Sequence, residues 1–340
     1  MQLGLHTFGD VYEESGRPVP QDEVIRNIVE EGKLADRLGL DFFGVGEHHR
    51  PDYAVSAPEV VLAGLATVTE RISLGTAVTV LGSDDPVRVY QRLATVEALA
   101  PGRVEAVMGR GSFIESFPLF GLSLSQYEEL FEEKLDLFVA LRQETSVTWT
   151  GRTRPALTDA DVYPRTGRPP LPTWVGVGGT PQSVIRAARH GLPLMLAVIG
   201  GQPRHFSGLA ALHREALERF GHAPQPIAIH SPGFVDETDA RARERFFPFW
   251  HRQVAKIGRE RGWPPPTREA FEAGCDPDGA LFVGSSETVA AKIIATGELL
   301  GLSRFDYKYS HGVLPHALMM ESIERYATDV ASVVRAATRD

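Results

Sequence analysis

Short apolar runs alternate along the chain with longer segments in which apolar residues recur at helical spacing. The first pair is an apolar run over 2–8 (QLGLHTF) followed by a periodic segment over 21–38, in which Val24, Ile28 and Leu34 fall on one face. Each run predicts a strand, and each periodic segment predicts a helix that covers it. Strict alternation of this kind is typical of a parallel sheet with its helices outside.

The pattern predicts eight strand–helix steps. Strands are predicted over 2–8, 41–49, 71–80, 103–109, 173–179, 193–200, 226–235 and 304–310. Helices are predicted over 21–38, 56–69, 85–99, 125–142, from 180 onward, 203–220, 286–300 and 316–337. Eight steps predict an α/β protein with a (β/α)8 TIM barrel, because an open doubly wound sheet usually has fewer strands.

Two segments interrupt the alternation of strands and helices. Residues 145–172 are predicted to form a loop excursion or a hairpin, and 236–280 a partly helical insertion broken by the prolines at 264–266. These insertions account for most of the length beyond the roughly 250 residues of a typical barrel. We therefore expect one decorated domain over 1–340.

Four predicted helices begin with a capping signal. A side-chain oxygen at such a position can accept a hydrogen bond from a free backbone N–H of the first turn. Two of the signals are spaced as capping boxes, and two place a proline in the first turn. They are Ser56 with Glu59, Asp85 with Pro86, Ser125 with Glu128, and Thr180 with Pro181.

Composition and charge narrow the functional classes. The chain is 43% hydrophobic and 23% charged, which is ordinary for a globular protein. Its net charge of −9 argues against general binding to nucleic acid or anionic lipid. No run approaches about 18 consecutive apolar residues, so we expect no membrane span and a cytoplasmic protein. Cys275 is the single cysteine, which excludes an internal disulfide and a thiolate metal cluster.

Five of the 11 histidines follow predicted strands, where a barrel places its functional residues. Neighbouring residues on a strand point to opposite faces, so the adjacent pair His48 and His49 is not expected to bind one metal ion. We predict no metal site. The five residues are His6, His48, His49, His230 and His311.

A glycine turn after the fifth strand suggests a site for phosphate. The segment 175–183 (VGVGGTPQS) runs from a strand through Gly178 and Gly179 to a helix start, where free N–H groups favour an anion. It does not match the dinucleotide fingerprint, and its alternative interpretation is a plain tight turn. A second glycine pair follows the sixth strand, and Arg110 adds a positive charge. The combination predicts a phosphorylated cofactor held from several strand ends.

Six segments, in this order, resemble the bacterial luciferase-like flavin-dependent oxidoreductases. They are GLDFFGVGEHHRPDY, LGTAVTVLGSDDPVRVYQ, GRVEAVMGRGSFIESFPLFG, VGVGGTPQS, FVGSSETVAAKI and RFDYKYSHGVLPH. The resemblance implies a TIM barrel that binds FMN at its C-terminal face and forms a homodimer. It also implies a monooxygenase that takes FMNH2 from a separate NAD(P)H:flavin reductase and uses O2 to oxidise a small organic substrate.

The resemblance also implies roles for individual residues. His48 matches the family's active-site histidine and is an expected acid or base, with His49 as a second catalytic candidate and Glu47 beside the cofactor. Thr76 and Ala77 match a strand end against the flavin ring, where the family often has a non-proline cis peptide. The remaining expected cofactor contacts are Arg110, Gly111, Ser112, Gly178, Gly179, Thr180, Gly200 and Gly201.

Two other functions remain open. Some relatives use the deazaflavin F420 and transfer only hydride, and others bind flavin without catalysis. The long lid of light-emitting members is not recognisable in 236–280, so bioluminescence is not expected. His6, His230 and His311 lie outside the resemblance and are candidates for the substrate side. Four aromatic residues fit a pocket, the core or a dimer contact equally well: Phe113, Phe117, Tyr307 and Tyr309.

Overall fold

In the computed structural model, which describes residues 1–167 and 170–338, eight parallel strands close into a barrel. Each strand pairs with the next along the chain, β8 pairs with β1, and the β4–β5 pairing completes the ring. The predicted (β/α)8 barrel is therefore confirmed. The strands are β1 Gln2–Thr7, β2 Phe42–Val45, β3 Ser73–Thr76, β4 Val104–Gly109, β5 Thr173–Val177, β6 Leu194–Ala197, β7 Ile227–Val235 and β8 Arg304–Lys308.

Helices surround the barrel and also form the second insertion. Six follow the first six strands: α1 Gln21–Arg37, α2 Pro58–Ala66, α3 Pro86–Leu99, α4 Tyr127–Gln143, α5 Pro181–Arg189 and α6 Ser207–Arg219. The chain then forms α7 Asp239–Arg261, α8 Arg268–Cys275, α9 Ser286–Leu300, α10 His316–Arg325, a π-helical turn Tyr326–Val330 and α11 Ala331–Ala337. None of the helices in the described residues is long and apolar enough to cross a membrane.

Several short elements complete the chain. Residues 145–172 contain the expected hairpin, and a second small hairpin follows β1. A single turn of α-helix and three 3₁₀ turns lie in the loops. The elements are the strand pairs Ser146–Trp149 with Leu157–Asp161 and Glu13–Glu14 with Arg17–Pro18, the strand Phe282–Gly284 beside β7, and the turns Leu81–Ser83, Ser116–Leu119, Leu124–Gln126 and Pro203–Phe206.

The capping signal at Asp85 is confirmed, because its carboxylate accepts hydrogen bonds from the N–H groups of Val87 (2.9 Å) and Arg88 (3.2 Å). The capping box at Ser56 is wrong. Helix α2 begins after Ala57 with no side-chain cap, and Glu59 is buried 3.4 Å from the Arg92 guanidinium. A carboxylate committed to an ion pair does not reach back to cap its own helix.

The capping box at Ser125 is wrong for the same reason. Ser123 caps a 3₁₀ turn by accepting the Ser125 N–H, and Glu128 instead pairs with the guanidinium groups of Arg110 and Arg186. Thr180 occupies the N-cap position of α5 as predicted. Its hydroxyl, however, donates to the Ser183 Oγ (2.8 Å) and makes no capping bond to the backbone.

The predicted third strand over 71–80 is split in two. Strand β3 ends at Thr76, and a two-residue strand, Thr79–Val80, continues the pairing with β4. Between them the Ala77–Val78 peptide bond is cis, which places the non-proline cis peptide suggested by the family resemblance at this position. The predicted second strand is also shorter than expected, since β2 ends at Val45.

A buried guanidinium fills the amino-terminal end of the barrel. Arg304, at the start of β8, is 2% exposed and lies 4.0 Å from the ring centre of Phe42 and 4.5 Å from that of Trp174. Glu105 on β4 pairs with it and also accepts a hydrogen bond from the Trp174 Nε1 (2.8 Å). Side chains from four strands therefore meet inside the barrel.

We call the cluster of Arg304, Phe42, Trp174 and Glu105 the floor of the barrel. Glycines on neighbouring strands leave space for it. A Cβ on Gly44 or Gly75 would lie 2.8 or 2.7 Å from the Phe42 ring, and one on Gly4 would lie 2.3 Å from an Asp306 oxygen. The Phe42 ring thus occupies space that side chains on neighbouring strands would otherwise fill. The outward strand faces carry the main apolar core, in contact with the helices.

Asp306 lies one step above Arg304 on the same face of β8. It is fully buried, and the Arg304 Nε lies 3.3 Å from its Oδ1. Burial raises the pKa of Asp306 to about 7, although Arg304 opposes the increase. The group is therefore protonated in the folded protein at pH values where it is ionised in the unfolded chain.

This shift predicts a pH-dependent stability. Because the folded pKa exceeds the ordinary value of 3.8, the contribution of Asp306 is complete at acid pH and is lost as the pH rises towards 7. Relative to Asp306→Asn, the wild-type free energy of unfolding should fall by roughly 2–3 kcal/mol between pH 5 and pH 8. Urea denaturation at both pH values measures it.

The exposed Asp22 provides a matched control. The free energy of unfolding of Asp22→Asn should change between pH 5 and pH 8 by the same amount as that of the wild type. If Asp306→Asn also follows the wild type at both pH values, the raised pKa is contradicted.

Candidate active site

A cavity of about 700 Å³ opens at the carboxyl ends of the strands. All eight strands or the loops directly after them contribute to its wall, and α7 and α8 cover it. All but two of the residues predicted for catalysis or cofactor binding line it. Those present are Glu47, His48, Ala77, Arg110, Gly111, Ser112, Gly178, Gly179, Thr180, Gly200 and Gly201.

His48 is held by the loop after β2. Its backbone N–H donates to the Val55 carbonyl (2.9 Å), and its imidazole packs among three rings, those of Phe8 (4.5 Å), Tyr53 (4.4 Å) and Phe113 (4.9 Å). Burial lowers the pKa of His48 to about 3. The imidazole is therefore neutral near pH 7 and offers one nitrogen donor and one acceptor.

His49 and Thr76 are the two predicted residues that lie off the cavity. The His49 Nε2 lies 3.4 Å from the Glu47 Oε1, and the ring packs edge-on against Phe120. Thr76 faces outward from β3, where its hydroxyl donates to the Val107 carbonyl (3.2 Å) and accepts the Val107 N–H (3.0 Å). Successive residues of a strand alternate between faces, which puts Ala77 at the cavity and Thr76 outside.

The side chains of Ala77 and Val78 form part of the cavity wall. Inward-facing glycines surround them: a Cβ on Gly44 would lie 2.8 Å from the Ala77 Cβ, and a Cβ on Gly109 or Gly176 would lie 2.5 or 2.9 Å from the Val78 side chain. Larger residues at these glycines would displace Ala77 or Val78 from the cavity wall. The sequence carried this signal as single glycines inside three strands.

The glycines after β5 and β6 leave an open surface. A Cβ on Gly178, Gly179 or Gly200 would meet no atom of the described residues within 4 Å. Gly179 (φ 139°) and Gly201 (φ 74°) have backbone angles that other residues rarely adopt. Together with Thr180 these glycines form what we call the glycine cradle: Gly178, Gly179, Thr180, Gly200 and Gly201.

Positive charge faces the cradle. The Arg110 Nη2 donates to the Thr180 Oγ1 (3.1 Å), its guanidinium lies 5.1 Å from the Tyr127 ring centre, and Glu128 pairs with it. The amino-terminal end of α5 begins at Pro181, beside the same glycines. Open backbone, a helix start and a guanidinium together suit a phosphate group.

The side of the cavity formed by β7, β8 and β1 is polar. The ring centres of His6 and His230 lie 4.5 Å apart. Lys308 lies 3.2 Å from the Asp10 carboxylate and donates to the Ser310 carbonyl. Burial alone would raise the pKa of Asp10, but Lys308 and hydrogen bonds from Ser310 and Gly312 bring that pKa below its ordinary value. The lysine charge is therefore matched by a carboxylate.

Sequence reasoning missed Lys308 and Asp10. The signal was the alternation of Arg304, Asp306 and Lys308 along β8, which puts all three on one face of the strand. The ion pair joins residues 298 positions apart, so nothing local to either residue predicts it. Of the four aromatic candidates, only Phe113 lines the cavity; Phe117, Tyr307 and Tyr309 are buried elsewhere.

The second insertion forms a roof over the cavity. Its predicted helical content and its break before the prolines are confirmed by α7 and α8. Ion pairs attach α7 to loops after β1 and β2, and the Arg261 guanidinium donates to the Ser112 carbonyl (2.9 Å). The pairs are Arg252 with Glu13 (2.5 Å), Lys256 with Asp52 (2.6 Å) and Glu260 with Arg50 (2.7 Å).

Residues 1–304 match the family model for luciferase-like monooxygenases. The chain belongs to this family. Within residues 1–167 and 170–338, no group of three or more His, Cys, Asp or Glu residues is arranged to hold a metal ion.

Two solved structures are similar over nearly the whole chain. Monooxygenase RslO1 from Streptomyces bottropensis superposes with a TM-score of 0.84 at 21% identity, covering 98% of this chain and 99% of that one. The oxygenating constituent of 3,6-diketocamphane monooxygenase from Pseudomonas putida, in complex with FMN, gives 0.76 at 19% identity, covering 98% of each. At these identities the likeness shows the fold.

A curated relative uses a different cofactor. The F420-dependent glucose-6-phosphate dehydrogenase of Kineococcus radiotolerans is 31% identical over 229 residues, covering 63% of this chain and 67% of that protein. The chain spans about half to two thirds of the length of the curated relatives it matches. The proteins to which this chain is similar therefore include both monooxygenases and an F420-dependent dehydrogenase.

The buried histidines provide a test of the site's electrostatics. Burial lowers the pKa of His230 to about 4 and that of His311 to about 3, while the Glu31 carboxylate, 3.3 Å from the His316 Nε2, raises the pKa of His316. We expect the imidazole ¹⁵N shifts of His48, His230 and His311 to stay constant between pH 5.5 and pH 8, and the shifts of His316 to report a pKa above its ordinary value of 6.5.

Single His→Gln variants would identify each signal. A titration midpoint inside this range for His48, His230 or His311 would contradict the description of a neutral site.

Proposed function

We propose that the protein is a monooxygenase that binds reduced FMN in this cavity and uses O2 to oxidise a small organic substrate. The observation that carries the proposal is the joint placement of the glycine cradle with Arg110 on one side and the buried, neutral His48 on the other. The FMN complex of the structurally similar diketocamphane monooxygenase supports the choice of cofactor.

The residues present fit FMN. The cradle and Arg110 would hold its phosphate, and the open space above Gly178, Gly179 and Gly200 lets the phosphate approach the backbone. Ala77 and Val78 offer an apolar support for the ring system. When bound, reduced FMN supplies the electrons for the reaction with O2.

His48 moves a proton in this proposal. Its neutral imidazole can accept a proton on one ring nitrogen or donate one from the other. The rings of Phe8, Tyr53 and Phe113 fix its orientation. The roof covers the same space, and water displaced from beneath it by a bound ligand would strengthen the polar contacts there.

The source of electrons and the assembly also belong to this proposal. The sequence has no dinucleotide fingerprint, which favours delivery of FMNH2 by a separate NAD(P)H:flavin reductase. A homodimer is proposed from the family resemblance. Sedimentation of the purified protein at several concentrations would measure it.

The phosphate role of Arg110 is tested by comparing two ligands. Arg110→Met should weaken FMN binding by roughly 10- to 100-fold, because a charge-assisted hydrogen bond to phosphate is lost. Riboflavin, which lacks the phosphate, should bind wild type and variant equally. Flavin fluorescence titration measures both affinities.

Arg219→Met, on the exposed end of α6, is the control and should leave both affinities unchanged. Equal weakening of FMN and riboflavin by Arg110→Met would show that the guanidinium does not contact the phosphate.

The role of His48 is tested by removing its side chain. His48→Ala should bind FMN within about threefold of wild type, while the single-turnover rate at which O2 reoxidises the bound reduced flavin should change by roughly 100-fold or more, as for other acid–base groups. Stopped-flow absorbance measures this rate.

The exposed His251 provides the matched control, His251→Ala, which should behave as wild type. An unchanged rate in His48→Ala would remove His48 from the catalytic role.

F420 is the competing cofactor. Tight binding of F420 together with slow reaction of bound reduced flavin with O2 would replace the monooxygenase proposal with a hydride-transfer enzyme. Binding of FMN without any effect on its reaction with O2 would favour a flavin-binding protein that is not an enzyme.

A further inference from the structure

Unpartnered polar atoms cluster on one wall of the cavity. His6 Nε2, His230 Nδ1, both ring nitrogens of His311 and the Gln253 Oε1 are buried and have no hydrogen-bond partner among residues 1–167 and 170–338. Each of these residues lines the cavity. A buried polar atom without a partner costs about 1–3 kcal/mol, so five on one wall call for a ligand that pairs with them.

The strand register and the roof bring these residues together. His6 on β1 and His230 on β7 flank β8 at the levels of Lys308 and Asp306, respectively. His311 follows β8 and packs under α7, with its ring centre 5.1 Å from that of Phe246. The next residue, Gly312, approaches Gln253 so closely that a Cβ there would lie 3.1 Å from the Gln253 Cβ. We call His6, His230, His311 and Gln253 the histidine wall.

The wall carries no unmatched charge. Burial lowers the pKa of His6, His230 and His311, and the nearby Lys308 lowers each further. Lys308 itself is paired with Asp10. A neutral imidazole offers one N–H and one lone pair, which match a hydroxyl or carbonyl oxygen. A carboxylate or phosphate would lose its hydration here without gaining a positive partner.

The remainder of the cavity on this side is apolar. Phe8 lies next to His6, the roof contributes Trp250, Val254 and Ile257, and Leu281 lines the cavity just after the roof. An apolar ligand body would remove this surface from water, while its oxygen would pair with one or two of the histidine nitrogens.

We propose that the histidine wall is the substrate subsite and that it binds an uncharged, largely apolar compound by a hydroxyl or ketone oxygen. The assignment rests on the proposed function, since it takes the glycine cradle on β5 and β6 as the place of the cofactor phosphate. The three histidines of the wall lie on β1, on β7 and just after β8, whereas the cradle follows β5 and β6, so both ligands would be bound together.

Four bicyclic probes with nearly the same body test the chemistry. The full-length protein is titrated at pH 7 with 2-naphthol, 2-tetralone, 2-naphthoate and naphthalene, and binding is followed by calorimetry. We expect 2-naphthol and 2-tetralone to bind at least tenfold more tightly than 2-naphthoate and than naphthalene. Equal or tighter binding of 2-naphthoate would overturn the proposal, and so would equal binding of naphthalene.

Variants locate the contact. His230→Phe and His311→Phe should each weaken 2-naphthol binding about tenfold and leave naphthalene binding unchanged, whereas His311→Gln, which keeps a donor and an acceptor, should retain most of the affinity. His251→Phe, an exposed position on α7, is the matched control. Circular dichroism verifies that each variant is folded. An unchanged preference for 2-naphthol in both folded phenylalanine variants would overturn the assignment.

FMN titration of the same samples separates the two proposals. A tenfold preference for 2-naphthol in a protein that does not bind FMN would leave the histidine wall standing and reject the flavin proposal. Normal FMN binding without the preference for 2-naphthol would reject the histidine wall as the substrate subsite and leave the flavin proposal standing. In protein saturated with FMN, the affinity for 2-naphthol should stay within about twofold of its value without FMN. Displacement of 2-naphthol by FMN would reject a separate subsite.

Discussion

The Arg304 guanidinium is the interaction on which the interior of the barrel depends. It joins Phe42, Trp174 and Glu105 from three other strands and fills the space where a barrel usually has branched apolar residues. A charge in this position needs both its carboxylate and its aromatic neighbours, since an unpaired buried charge is strongly destabilising. Because the floor is filled, the cavity lies towards the carboxyl ends of the strands.

The fold was predictable from hydrophobic periodicity, whereas the ends of its elements were less so. The alternation along the chain identifies eight strands in the right order, because burial against helices imposes the same pattern on each. The capping boxes failed at Ser56 and Ser125, because Glu59 and Glu128 take part in ion pairs with residues far along the chain. Local spacing does not contain that information.

The candidate site was also predictable from the sequence only in part. The residues carried by the family resemblance, His48, Arg110 and the glycine cradle, meet at one cavity. The Asp10–Lys308 pair was not predictable, because alternating charges on a strand normally indicate a solvent face. In β8 they face a barrel interior instead, and only the closed ring of strands reveals this. Their roles in catalysis and binding stay predictions.

The glycine cradle and the roof of the cavity come from different parts of the chain, and this separates the effects of substitutions in each. The glycine cradle comes from barrel strands and their first turns, whereas the apolar roof comes from the insertion over 236–280, which is attached largely by ion pairs to loops. Substitutions in the insertion can reshape the pocket without touching the strand pairings that close the barrel. The cavity can therefore change shape under the roof while the glycine cradle keeps its geometry.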